Sequence, residues 1–86
     1  MTSPAAIRQT LADMIAAASD GEVTAATALA GDHTLSALGF TSLARIRLID
    51  AIEDSFGIDL DLENDLSSFE HVDALAAHLA TLLAAR

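Results

Sequence analysis

The chain contains no cysteine, so any nucleophilic, metal-binding or proton-moving chemistry falls to its hydroxyls, histidines and carboxylates. Ser42 has the most suggestive setting. It follows Ala37-Leu38-Gly39-Phe40-Thr41 and leads directly into a helical pattern that runs to Phe56. Glycine permits a sharp backbone turn and threonine is a good helix N-cap, so Thr41 would close the turn and Ser42 would open the helix with its hydroxyl exposed. The same serine could equally be an ordinary first-turn residue. It is not the nucleophile of a serine hydrolase, because it lacks a Gly-x-Ser-x-Gly elbow and the chain is too short for an α/β sheet.

Two further groups hold ligand atoms. Counted from Asp59, the segment ending at Glu70 places oxygen side chains at positions 1, 3, 5, 9 and 12 of an EF-hand loop. Position 6, where the tight turn needs glycine, is Asn64, position 5 is the long Glu63, and there is one such loop only. A calcium-binding protein is therefore the weaker reading, and a solvated acidic connector the better one. His33, His71 and His78 have no local spacing that makes a metal site, and surface histidine is the simplest account of His71.

Composition narrows the rest. At 86 residues the chain is read as one domain, residues 1–86, burying roughly 60% of its unfolded surface. Hydrophobic residues make up 52% and aromatics 3%, so the core must be Leu, Ile, Val, Ala and three Phe, which favours packed helices. Net charge is −9, with four arginines and no lysine. That excludes nucleic acid and anionic membranes as partners and favours basic protein patches. Neither a signal peptide nor a membrane span is evident, and a cytoplasmic monomer is expected.

Ser3-Pro4 reads as N-cap and first helical residue, and Ile7, Leu11, Met14, Ile15 and Ala18 recur at helical spacing over about Pro4 to Ala18. Ser19-Asp20-Gly21 stops that helix. From Glu22 to Thr41 the signal is weak: Val23 to Leu29 could form a short helix, with Leu35 and Leu38 as anchors of a long loop. Over Ser42 to Phe56, Leu48, Ile49, Ile52 and Phe56 fall within one arc of about 100° and form the core face. Leu43, Asp50 and Asp54 fall opposite, with Arg47 beside them and Ile46 at the border. Arg45 lies inside the core arc and is expected to snorkel to water or to a loop acid. Ile58 to Leu62 reads as a short extended connection, followed by a helical turn near Asn64 to Ser68. A last helix, Val72 to Ala84, would bury Val72, Leu75, Ala76, Leu79, Leu82 and Leu83. The fold class is all-α, a small four-helix bundle of three main helices and one short one.

Leu38-Gly39-Phe40-Thr41-Ser42-Leu43, the helix closed by Phe56-Gly57-Ile58, and the later Val72-Asp73-Ala74-Leu75-Ala76 together resemble the acyl and peptidyl carrier proteins. The resemblance covers about Leu35 to Leu83. It implies that Ser42 carries 4′-phosphopantetheine, transferred from coenzyme A by a Mg²⁺-dependent phosphopantetheinyl transferase, and that the protein is not itself an enzyme. A helix N-terminus suits the resulting phosphodiester, since its free N–H groups and positive dipole end favour a phosphate. The acid that usually precedes the serine is Thr41 here, which keeps the cap but gives up a charge that could pair with the transferase. The resemblance further implies partner contacts at Thr41, Leu43, Ile46, Arg47, Asp50 and Asp54, and places His71 where side chains can flank the pantetheine arm. Loading, condensing and tailoring enzymes are the implied partners. Gly39-Phe40 is more like polyketide acyl carriers than the Gly-Gly pair common in peptidyl carriers, so a discrete polyketide-type carrier is expected. A peptidyl or aminoacyl carrier of nonribosomal peptide synthesis, and an unmodified helical interaction domain, remain as alternatives.

Overall fold

The computed structural model describes residues 4–60 and 70–85, and these described residues form four helices: α1 (Pro4–Ala18), α2 (Ala25–Ala30), α3 (Ser42–Phe56) and α4 (Val72–Ala84). The three long helices have the bounds that periodicity predicts, and no strand occurs among the described residues. The short helix shown is α2. The turn expected near Asn64 to Ser68, and the cap residue Ser3, lie outside the described residues.

The core is aliphatic, as the composition requires. Ile7, Leu11 and Ile15 on α1 meet Leu48 and Ile52 on α3 and Leu75 and Leu79 on α4, all of them fully buried. Each such side chain contributes roughly 1.5–3 kcal/mol through removal from water. Helix α1 packs against each of the other three and is the centre of the bundle. Leu82, Leu83 and Phe56, expected in the core, are only half-buried against it. All three sit in the last turn of their helix, where fewer neighbouring elements remain to cover a side chain.

The end of α1 explains how the chain turns toward the site. Gly21 N–H donates to the Ala16 carbonyl at 2.9 Å and Asp20 N–H to that of Ala17 at 3.2 Å, the paired bonds of a Schellman cap. The left-handed residue is Asp20, φ 54°, a position more often taken by glycine. Ser19 Oγ accepts from Val23 N–H at 3.1 Å, which seats Val23 in the core before Thr24 caps α2.

From α2 the chain runs through a turn at residues 35–39 to α3. Leu35 and Phe40 are its buried anchors, while Leu38 is half-buried. Leu35 N–H donates to the Glu70 carbonyl at 2.8 Å, tying this loop to the approach to α4. Past α3, Leu60 N–H donates to Glu53 Oε2 at 3.0 Å, which fixes the non-helical connection after Gly57.

Candidate functional site

The site is built at the N-terminus of α3. Gly39 takes φ 92°, a conformation that side-chain-bearing residues rarely adopt, and this turns the backbone so that Phe40 enters the core and Thr41 leaves it. Thr41 is extended, φ −77° and ψ 169°, and its Oγ1 accepts from Ala44 N–H at 3.1 Å. The predicted cap is therefore present. Ser42 follows as the first helical residue, exposed, and no hydrogen bond engages its hydroxyl among the described residues.

One flank of Ser42 is filled. Arg45, one turn along α3, donates through Nη2 to Glu70 Oε1 and to Ser36 Oγ, and its guanidinium carbon lies 5.9 Å from the centre of the Phe40 ring. Ser36 Oγ in turn donates to Glu70 Oε1 at 2.8 Å. Partial burial would raise the Glu70 pKa, but the bonds from Arg45 and Ser36 and the charge of Arg45 outweigh it, leaving the carboxyl below its ordinary value. Arg45 thus reaches the loop acid expected of it, and that acid is Glu70. The calcium reading gave Glu70 to the last ligand position, whereas here it is committed to Arg45 and Ser36. Of the other residues of that reading, Asp59 and Leu60 are described and 61–69 lie outside the described residues.

The other flank is open. Arg47 Nη1 meets Asp20 Oδ2 at 3.2 Å across a cleft of about 270 Å³ between the end of α1 and the start of α3. Ala18, Leu43 and Ala44 line it, with Thr41 and Gly39 at its edge. Neither this cleft nor the Asp20 partner was apparent from sequence, because Asp20 and Arg47 are 27 positions apart.

Along the outer face of α3, Leu43 is 57% exposed and Ile46 54%, large apolar side chains left in water as their helical angles predict. Asp50 and Asp54 are exposed beside them. Glu53, on the same helix, is half-buried and its carboxylate accepts from Leu60 N–H. His71 is the residue before α4, extended and half-buried, with no side-chain bond to cap the helix. Among the described residues no group of three or more histidines and carboxylates could hold a metal ion, and no helix is long and apolar enough to cross a membrane.

Among the described residues, the bundle thus sets an exposed serine hydroxyl at a helix start beside exposed apolar side chains. Residues 5–79, most of the chain, match the family model described as "Phosphopantetheine attachment site", and the chain belongs to that family, the carrier proteins. It is accordingly a non-catalytic protein that bears covalent 4′-phosphopantetheine and depends on a phosphopantetheinyl transferase and on loading enzymes. No curated protein and no solved structure gives a match.

Proposed function

We propose that residues 1–86 form a single carrier domain of a polyketide-type pathway, with Ser42 as the attachment residue. The observation that carries this is the exposed Ser42 hydroxyl at the first position of α3, with no hydrogen-bond partner among the described residues and inside the matched region. The residues present fit the group. First-turn N–H groups lack intrahelical acceptors, the helix dipole is positive there, and the Thr41 cap keeps the turn rigid without adding a competing negative charge. Ser42 Oγ attacks the β-phosphate of coenzyme A in the transferase; the new O–P bond forms, the pyrophosphate bond breaks, adenosine 3′,5′-bisphosphate leaves, and the hydroxyl proton passes to the transferase.

The terminal thiol of the arm supplies thioester chemistry for acyl intermediates. This chain supplies the rest: a fixed anchor, and the apolar pair Leu43 and Ile46 with Arg47, Asp50 and Asp54 around it as a contact face for condensing and tailoring enzymes. The acyl rather than peptidyl assignment rests on Phe40 following Gly39. Cytoplasmic placement and a monomeric state complete the proposal.

The test is intact mass after incubation with coenzyme A, Mg²⁺ and a promiscuous transferase. One phosphopantetheine addition is expected on the native chain and none on Ser42→Ala. Addition to Ser42→Ala, or failure of the native chain with several transferases, refutes the assignment.

A further inference from the structure

We propose that Asp20-Gly21 is a site of isoaspartate formation, shielded while the end of α1 is folded and open to reaction when that turn comes apart. An aspartate side chain can close on the backbone nitrogen that follows it, and a Cβ on the following residue hinders the approach. Asp20 is the one aspartate in the sequence followed by glycine, which has no Cβ and restricts the backbone least. In the reaction the Gly21 nitrogen attacks Asp20 Cγ. The N–Cγ bond forms, the bond from Cγ to the carboxyl hydroxyl breaks, and that hydroxyl leaves as water with the amide proton. Water then opens the resulting succinimide. Cleavage between the nitrogen and the main-chain carbonyl carbon leaves the chain running through Cγ, which is isoaspartate. No reagent other than water takes part.

The folded turn opposes this closure. Gly21 N–H is committed to the Ala16 carbonyl at 2.9 Å, so the attacking nitrogen is held within the cap. Asp20 is held at φ 54°, in the left-handed region where ψ is about +30 to +60°, and that rotation turns the Gly21 nitrogen away from the Asp20 side chain. Arg47 Nη1 also holds Asp20 Oδ2 at 3.2 Å, but the Asp20 side chain is 81% exposed, and a pair so solvated is the weakest of these restraints. Ser19 braces the turn from within: its Oγ donates to the same Ala16 carbonyl at 3.2 Å and accepts from Val23 N–H at 3.1 Å.

The shield is local and can open without the bundle. Helix ends open at far lower free energy than core segments. Among the described residues Asp20 alone combines a side chain with positive φ, a conformation in which Cβ crowds the backbone, so strain favours release of this turn. Conversion then prevents its return. The main chain gains the Cβ methylene, the α-carboxyl becomes the side chain, the paired bonds of the cap no longer close in register, and Arg47 loses its partner. The displaced carboxylate is the group that isoaspartyl methyltransferases methylate, which makes the converted chain a substrate of that enzyme class. Asp32, exposed after α2 and followed by His33, has the exposure without the glycine and is the internal comparator.

The experiment ages the full chain at neutral pH, folded in buffer and unfolded in guanidinium. Because the mass does not change, isoaspartate is quantified by methyl transfer from labelled S-adenosylmethionine with an isoaspartyl methyltransferase, after removal of denaturant, and assigned by peptide mapping. Asp20 should convert faster than Asp32 in the unfolded chain, and more than about tenfold slower in the folded chain than in the unfolded one. Ser19→Ala, which withdraws the brace, should raise the folded rate several-fold and leave the unfolded rate unchanged. Should that variant not fold, the two states of the native chain decide alone. An unfolded chain that forms no isoaspartate at Asp20, or forms it faster at Asp32, overturns the site. Equal rates in the folded and unfolded native chain, or a folded Ser19→Ala that converts no faster than the native protein, overturn the shielding by the turn and with it the proposal.

Discussion

Arg45 and Arg47 stand two residues apart on α3, each paired with a carboxylate from a distant part of the chain, and they are held in opposite ways. The side chain of Arg45 is 16% exposed and that of its partner Glu70 27%, with Ser36 bonded to both and Phe40 beneath the guanidinium. Arg47 is half in solvent and Asp20 almost wholly so. The same ion-pair chemistry thus makes a structural clamp in one case and a loose, solvated pair in the other. Desolvation and shared hydrogen bonds, rather than the charges themselves, separate the two roles.

The largest expected effect follows from breaking the clamp. Arg45→Ala strands a half-buried carboxylate and removes packing from Phe40, at a cost of about 1–2 kcal/mol. Thermal melts at neutral pH measure it, and a loss no greater than that of Arg47→Ala would show that the two pairs do not differ. Acid sharpens the contrast. Because the Glu70 pKa is lowered in the folded state, its stabilisation is complete above the unfolded value of about 4.5 and is lost as pH falls through the folded value. The stability gap between the native chain and Glu70→Gln should therefore be widest near pH 7 and close progressively below about pH 4.5.

Thr41→Ala comes next. Removing the bond from Ala44 N–H to Thr41 Oγ1 should cost about 1 kcal/mol, while Thr41→Asp should keep the melt and improve modification by transferases that expect an acid. Melts and loading rates on the three proteins separate capping from recognition. An unchanged melt for Thr41→Ala would mean that the cap does not stabilise α3.

Much of the bundle was legible from sequence because its information is local. Leu11 and Ile15 on α1, or Leu48 and Ile52 on α3, lie at helical spacings that identify a buried stripe without knowledge of what covers it. The same arithmetic put Leu43 and Ile46 in solvent, and the capping preference of threonine marked the start of α3. What escaped was tertiary. Nothing near Arg45 in sequence indicates Glu70, 25 residues away, and the acidic run that ends at Glu70 reads as a solvated connector. Phe40 sits in a turn, where no period reveals which side is buried. Asp20 holds a left-handed position that composition assigns more readily to the adjacent Gly21, and so its place facing Arg47 was hidden too.

The smallest stability effect is expected at Arg47, and it carries the sharpest functional consequence. Arg47→Ala should change the melt by no more than about 0.5 kcal/mol, since an exposed pair with Asp20 contributes little. Yet Arg47 interrupts an otherwise acidic and apolar surface formed by Leu43, Ile46, Asp50 and Asp54. Binding there should draw its energy from the apolar pair, while the charges steer encounter and select partners. Leu43→Ala or Ile46→Ala is therefore expected to lower transfer to the cognate enzyme several-fold. Asp54→Asn should produce a smaller loss that vanishes at high salt, because rim charges act mainly on association rate and are screened. Arg47→Glu should chiefly change which enzymes accept the loaded protein. Steady-state transfer kinetics at two salt concentrations, on variants verified as folded and loaded, measure all four. If Asp54→Asn abolished transfer while Leu43→Ala and Ile46→Ala behaved as the native chain, recognition on this face would be electrostatic, and Arg47 would belong to the affinity of the contact rather than to its selectivity.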